Sequence, residues 1–425
     1  MKLRLPKASD VRNKTVLVRV DFNVPLKIID DKHQVVGDRR LKSALETIHF
    51  LKKNNAKTVL MSHVGRPNGK PNPKFSSQPI AQYLTQSLDV PTSWINNCVG
   101  QKVQAAIKQL NFGDVLLLEN TRFYKEEKEN DANFSKKLAT LADVYINDAF
   151  SASHREHAST TGVTKYLPSF AGFHLQTEVE MLSQLMTNPP RPFFAVVGGA
   201  KISDKIAVLE KLLEVADAVL VGGGVANNFL KAEGIEVYKS YLQDAPADLK
   251  KEGVDYVKLA DRLIEETKSE KILKDGYVPL PKILYPLDVV AADSPESVKT
   301  QIIDLTNGMT DQIDDQNLMY LDIGPKTTRL YQELIAQAKS VFWNGPMGCF
   351  EQQPFQAGTK GIAKAMATAT TTGTTTIVGG GDTIKTIADL KLDGKYSYIS
   401  TAGGAGLLFL AGQELPALKP LTIAT

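Results

Sequence analysis

The chain reads as an α/β protein built from two doubly wound, Rossmann-like parallel-sheet domains joined by a long helix and a hinge. Three observations lead there. Short Val/Ile/Leu runs alternate along the chain with segments of helical spacing, the pattern of successive βαβ units. At 425 residues and 43% hydrophobic content the composition is ordinary for a globular protein, and the length exceeds what one compact core takes up. The apolar runs of the second half end in glycine clusters, whereas those of the first half end in single Arg and His residues.

In the first half, KTVLVRVDF (14–22), KTVLMSH (57–63), DVLLLEN (114–120) and DVYINDA (143–149) predict buried strands. LKSALETIHFLKKN (41–54) and PIAQYLTQSL (79–88) predict helices between them. The amphipathic stretch GFHLQTEVEMLSQLMTNPP (172–190), closed by Pro189 and Pro190, predicts a connecting helix and a hinge. The scheme then repeats with FFAVVGG (193–199), DAVLVGG (217–223), SVFWNG (340–345), TTTIVGG (374–380) and YSYIST (396–401), separated by helical segments such as ISDKIAVLEKLLEVA (202–216). The Thr-rich TATTTGTTT (368–376) reads as a loop leading into a strand. Right-handed crossovers place the strand C-termini of each sheet on one edge, where open α/β sheets bind ligands.

Charge and cysteine content narrow the function. With 50 Lys plus Arg against 47 Asp plus Glu, the net charge of +3 carries no nucleic-acid or membrane-surface footprint. Cys98 and Cys349 lie far apart without CxxC spacing, against a disulfide framework or zinc site and in keeping with a reducing cytoplasm. The first residues lack an apolar core of a signal peptide, and no run approaches the roughly 18 apolar residues of a membrane span. A soluble, cytoplasmic protein is expected.

The glycine clusters VVGGAK (196–201), VGGGVAN (221–227), WNGPMG (343–348), VGGGDT (378–383) and TAGGAG (401–406) describe one anion-binding surface, with backbone N–H groups approaching a phosphate. Lys201 and Lys205, four apart at the start of the following helix, would repel each other there unless a polyphosphate lay between them. Asp382 or Thr383 reads equally as a cap on a helix starting at Ile384 and as an oxygen ligand for Mg²⁺ on nucleotide phosphates. Neither a GxxxxGK[ST] loop nor a GxGxxG fingerprint occurs.

In the first half, RVDFNVP (19–25), DRRL (38–41), MSHVGRP (61–67), LLENTRF (117–123) and DAFSASHR (148–155) set basic residues at successive strand ends. Guanidinium forks match phosphate and carboxylate oxygens, so Arg40, Arg66, Arg122 and Arg155 with His63 suit a small, highly anionic substrate. RVDFNV also reads as an edge strand with Asp21 and Asn23 turned to water. The remaining histidines, His33, His49, His154, His157 and His174, read as structural; His154 and His157 have helical spacing but no third metal ligand.

RVDFNVPL (19–26), SHVGRP (62–67), LLENTRFY (117–124), DAFSASHR (148–155), GGAKISDKI (198–206), GGGVANNFL (222–230), LDIGPKT (321–327), WNGPMGCFE (343–351) and GGGDT (379–383) together resemble phosphoglycerate kinase, in order and over essentially the whole chain. The resemblance implies a 3-phosphoglycerate-binding domain (1–171, with a C-terminal tail of about 408–425 returning to it), an interdomain helix (172–190) and a nucleotide-binding domain (191–407). It implies reversible, in-line phosphoryl transfer from 1,3-bisphosphoglycerate to ADP by a monomer, with hinge closure and Mg²⁺ on the nucleotide. Carried over by position, Asp21, Asn23, Arg40, His63, Arg66, Arg122 and Arg155 match the substrate-binding residues. Arg40 rather than Arg39 aligns, because an aliphatic residue, Leu41, follows it. Lys201 and Lys205 match phosphate-binding lysines, Asn344 a residue near the phosphates, Glu351 the ribose ligand, and Gly380, Gly381, Asp382 and Thr383 the Mg-nucleotide loop. The adenine slot falls near Gly222, Gly223, Gly224 and Leu321. The resemblance further implies that Arg40, Lys201 and Lys205 are the catalytic residues, Arg40 and Lys205 flanking the transferring group and Lys201 on the nucleotide phosphates.

Departures from the family pattern are local. STAGGAG (400–406) stands where STGGGAS is usual, so Ala402 restricts a backbone position and Gly406 removes a helix-capping hydroxyl. Thr121 replaces a frequent Leu, and Ser151 to Ser153 replace Gly-Thr-Ala; no charged position is lost. Two rival readings stand beside this one: a non-catalytic nucleotide-binding scaffold with the same fold, and a kinase acting on acetate or an amino-acid carboxylate, which would share the phosphate logic but want fewer arginines for its acceptor.

Overall fold

The computed structural model of the chain describes residues 1–243, 255–268, 280–306 and 316–423. The chain divides into two compact units, Met1–Glu180 with Gln413–Thr425, and Met181–Gly412.

In the first unit, six parallel strands lie in the order Thr92–Ile95, Val115–Leu118, Lys57–Met61, Thr15–Val20, Val144–Asp148 and Ser169–Ala171. Side chains alternate between two apolar layers. Val16, Val18 and Val20 pack with Leu41, Ile48 and Ile80 on one face, and Leu17, Met61 and Tyr145 with Val103 and Leu138 on the other. Both faces are covered, which is why these strands read as continuous apolar runs rather than alternating ones. The first strand ends at Val20, so Asp21 and Asn23 open the loop beyond it. The edge-strand reading of RVDFNV fails, because Thr15–Val20 is paired on both sides and Asp21 is buried. An exposed hairpin, Leu26–Ile29 with Lys32–Val35, was not anticipated.

The tail packs against the chain start: Leu3 bridges Thr422, and Arg4 N–H donates to Leu421 O at 2.7 Å. Leu415, Ala417, Leu418 and Leu421 are buried, and residues 424 and 425 lie outside the described residues. The helix Phe173–Thr187 starts on Asp148, whose Oδ1 accepts from Leu175 N–H at 3.0 Å. The division between units falls inside this helix.

The second unit carries six parallel strands in the order Ile283–Leu284, Ala218–Val221, Phe193–Val197, Ser340–Asn344, Thr375–Gly379 and Tyr398–Ile399. In chain order this is the 3-2-1-4-5-6 arrangement, whose ligand crevice lies where the order reverses, between Phe193–Val197 and Ser340–Asn344. An antiparallel sheet of Gln301–Asp304, Asp288–Ala292 and Met319–Ile323 stands apart from the parallel scheme and carries Leu321. No glycine cluster marks these strands, and they were not read from the sequence.

Three local expectations are corrected. The helix Ala357–Thr371 runs through the first three threonines of the Thr-rich stretch. Thr370 and Thr371 donate their hydroxyls back to Met366 O and Thr368 O, at 2.8 and 2.7 Å, so the run stays helical. The helix expected from residue 202 begins at Ile206, and residues 202–205 form a turn closed by Lys205 N–H to Ile202 O at 2.8 Å. Gly406 does not stand at a cap: the helix Gly404–Leu410 starts after Gly403, so Gly406 is its third residue. No described helix is long and apolar enough to cross a membrane.

Candidate active site

In the first unit the carboxyl edge of the sheet gathers the predicted basic residues. Thr15–Val20 delivers Asp21 and Asn23, Lys57–Met61 delivers His63 and Arg66, Val115–Leu118 delivers Arg122, and Val144–Asp148 leads to Arg155. Asp21 Oδ2 accepts from Arg40 Nη1 at 2.7 Å and from Ser151 Oγ at 2.5 Å. The family departure at Ser151 thus adds a donor to Asp21. Asn23 Oδ1 accepts from Gly65 N–H at 2.8 Å and fixes the turn that carries Arg66. Arg122, buried, donates Nη1 to Gly65 O at 2.8 Å, while its Nε is buried with no partner. Arg66 and Arg155 are exposed.

Mutual repulsion and burial set the protonation states. Burial, with Arg19, Arg155 and Arg66 opposing Glu127, pulls the Arg122 guanidinium down to about 10. Burial and the Arg19, Arg122 and Arg40 charges hold His63 well below the ordinary histidine range. His157 lies 3.8 Å from Glu127, beyond hydrogen-bond reach, and burial with three neighbouring arginines pushes it down to about 3. It is therefore neutral, and the apparent ion pair is not one. His154 and His157 lie in an irregular segment, so their spacing is not helical, and His154 Nε2 accepts from Arg155 Nε at 2.9 Å. The result is a bay of guanidinium groups and neutral imidazoles suited to a compact polyanion.

Sequence reasoning missed Arg19. It sits inside the central strand with 1% of its surface exposed and donates Nη2 to His63 Nδ1 at 2.9 Å. The available signal was an arginine interrupting the apolar run TVLVRV, in a strand buried on both faces.

The second unit places its predicted residues around the switch point of the sheet. Lys205 is the residue preceding the helix Ile206–Val215, and its Nζ donates to Asn344 Oδ1 at the end of Ser340–Asn344. Burial lowers the Lys205 ammonium, against the opposing pull of Asp204 and Asp382. Lys201 lies on the exposed loop ahead and is not on a helix face with Lys205. Most glycine amides are not available to a phosphate. Those of Gly198, Gly199, Gly222 and Gly223 donate to Asn344, Pro346, Val197 and Met347 carbonyls at 2.8–3.1 Å. The glycines there serve close loop packing instead: a Cβ on Gly345 would lie 2.2 Å from Gly198 O, and its φ is +98°.

The remaining cluster differs. Gly380, at φ +93°, precedes the helix Gly381–Asp389, so Gly381, Asp382 and Thr383 form its first turn and neither side chain caps it. Thr383 Oγ1 instead accepts from Gly345 N–H at 2.8 Å, tying this turn to the loop after Asn344. First-turn N–H groups lack intrahelical acceptors and face outward for an anion. The loop 345–348 packs on the 198–200 and 222–224 loops, and Cys349 N–H donates to Leu321 O at 2.7 Å. Leu321 is buried beside Phe355, and Glu351 is exposed in a hollow with Phe350 and Lys385. No described group of three or more His, Cys, Asp or Glu residues could hold a metal. A lone exposed carboxylate, Asp382, fits Mg²⁺ that is held mainly by phosphate and water rather than by a protein cage.

Comparison with known proteins gives a single family. Residues 7–413 match the sequence model described as phosphoglycerate kinase. The chain is 42% identical over 412 residues to phosphoglycerate kinase of Pelotomaculum thermopropionicum, covering 97% of each chain. It is 43% identical over 413 residues to that of Moorella thermoacetica, again covering 97% of each. The solved structure of phosphoglycerate kinase from Coxiella burnetii matches with a TM-score of 0.80 at 37% identity, over 97% of this chain and 96% of that one. With its fold, its two residue constellations and these matches over nearly its full length, the chain belongs to the phosphoglycerate kinase family.

Proposed function

We propose that the protein transfers a phosphoryl group reversibly between 1,3-bisphosphoglycerate and ADP, giving 3-phosphoglycerate and ATP, as a cytoplasmic monomer. The first unit is the phosphoglycerate-binding domain and the second the nucleotide-binding domain. The observation that carries this reading is the buried, unpartnered Arg122 Nε within a bay of like charges, an arrangement that a dense anion relieves. Arg66, Arg122 and Arg155 anchor the 3-phosphate, and Asp21, Asn23 and His63 orient the glycerate end.

The acyl phosphate is a reactive donor, so the protein supplies alignment and charge neutralisation rather than a covalent intermediate. Arg40, bonded through Nη1 to Asp21, and Lys205, bonded to Asn344, flank the moving group once the hinge closes and expels water. Lys201 and the first turn at Gly380, Gly381, Asp382 and Thr383 hold the nucleotide phosphates, Glu351 the ribose, and Gly222, Gly223 and Leu321 the adenine. Mg²⁺, when bound at Asp382, neutralises phosphate charge.

A coupled assay offering 3-phosphoglycerate, acetate and aspartate as acceptors from MgATP tests the substrate. Turnover with 3-phosphoglycerate alone is expected; turnover with acetate or aspartate assigns another acid kinase, and none at all a scaffold. Arg40→Ala and Lys205→Ala are each expected to lower kcat by about 100-fold or more, as loss of a transition-state charge contact does. Either variant staying within about threefold of the parent removes that residue from the role.

A further inference from the structure

The histidine of the anion bay is held from behind by a chain of buried groups. A guanidinium has donors only, so His63 Nδ1, 2.9 Å from Arg19 Nη2, must accept. Its ring proton then sits on Nε2. Arg19 is itself fixed at its other nitrogens, with Nη1 donating to Val20 O and Nε to Ser159 Oγ at 2.9 Å. The Ser159 hydroxyl has one hydrogen, and it goes to Glu127 Oε1 at 2.5 Å. Every bond of Arg19 runs outward from the guanidinium, and Glu127 takes the one Ser159 hydrogen, which leaves the Ser159 oxygen aimed at Arg19 Nε. Glu127 is fully buried on the short helix Lys125–Lys128, and its Oε2 accepts Ser159 N–H at 3.0 Å. Arg19, His63, Glu127 and Ser159 come from four separate segments of the first unit, none adjacent in sequence.

We propose that Glu127, acting through Ser159 and Arg19, is a positioning residue that keeps the proton of His63 on Nε2, so that His63 presents a fixed hydrogen-bond donor to the anionic substrate. The substrate half of this statement rests on the function proposed above; the relay itself does not. Without the carboxylate, the Ser159 hydroxyl is free to turn, and Arg19 loses the group that orients its Nε. Burial and the arginine charges independently keep the His63 ring neutral, so what the relay contributes is the placement of the Arg19 Nη2 donor against Nδ1, which selects the tautomer.

Nitrogen-15 NMR of the histidine rings in the full-length protein tests this, in the parent, in Glu127→Gln and in Ser159→Ala. The parent is expected to show a protonated Nε2 and an accepting Nδ1 at His63. Both variants are expected to show a mixed tautomer, with KM for 3-phosphoglycerate raised about tenfold, the loss of one hydrogen bond to a charged group, and kcat little changed. Ser159→Ala serves where the buried Glu127→Gln fails to fold. A protonated Nδ1 in the parent, or an unchanged tautomer in the folded variants, overturns the relay. A tautomer that switches as expected, while 3-phosphoglycerate leaves the His63 resonances of the parent unmoved, upholds the relay and overturns the substrate reading.

Discussion

At position 406 a side chain has no room: a Cβ there would lie 2.8 Å from Ala402 Cβ and 3.7 Å from Leu182 Cδ1. Against the family pattern STGGGAS, the two changes are thus one exchange, a methyl gained at 402 and a side chain lost at 406. Ala402 is not among the residues with positive φ, so the methyl causes no backbone strain. Gly406→Ser alone is expected to destabilise by about 1–3 kcal/mol through overpacking, and Ala402→Gly in the same chain to restore most of it. Thermal unfolding of the two single variants and the double variant measures the coupling; additive effects would separate the two positions. This contact was not legible in the sequence, where the pair looked like two independent losses. Four residues on a loop leading into a helix give no sign of which atoms meet. His63, Arg66, Arg122 and Arg155 were legible because each follows a strong apolar run, and the run says which sheet edge they reach; Arg40 does not end a strand but lies in the short helix Arg39–Ser43 after the exposed hairpin. Arg19 was not, since its role comes from partners at positions 63 and 159.

Among the elements, the helix Phe173–Thr187 depends on a carboxyl group whose protonation folding alters. Burial, helped by Glu46, pushes Asp148 from 3.8 up to about 6, while the bond from Leu175 N–H opposes the change. Between these values the folded chain holds a proton that the unfolded chain has released, so stability falls as pH rises through this window. The effect amounts to about 3 kcal/mol at most. Asp148→Asn keeps an acceptor for Leu175 N–H and removes the ionisation. Urea unfolding at pH 4 and pH 7 is expected to show the parent losing up to that much more stability than the variant; parallel slopes would clear Asp148 of the pH response. The strands were the most readable elements, because burial on both faces leaves little but Val, Ile and Leu in them. The helix at Ala357–Thr371 was misread at its end, where threonine hydroxyls bonded to the preceding turn stand in for the polar loop that composition suggested.

For the whole molecule, a net charge of +3 conceals strong local imbalance, with a cationic bay in one unit and a lysine-bearing helix start in the other. If catalysis needs both at one centre, small-angle scattering is expected to show contraction when 3-phosphoglycerate and MgADP are added together. Neither ligand alone should produce the full change, and a radius of gyration that stays constant with both would count against hinge closure. Thermal stability is likewise expected to rise with 3-phosphoglycerate in the parent and much less in Arg122→Ala. Most strands of the two parallel sheets were readable as apolar runs, but the edge strands Thr92–Ile95, Ser169–Ala171 and Ile283–Leu284 were not. The antiparallel strands around Leu321 were not, because they lack glycine punctuation and follow a different pairing logic from the rest.

The meeting of Leu3 with Thr422 fixes an order of events in biosynthesis. A ribosome makes Thr422 only after every residue of Met181–Gly412 has left the decoding centre. The second unit is therefore complete as a polypeptide while the first still lacks Leu415, Ala417, Leu418 and Leu421 from its interior. The first unit can therefore close its interior only after the whole of the second has been synthesised.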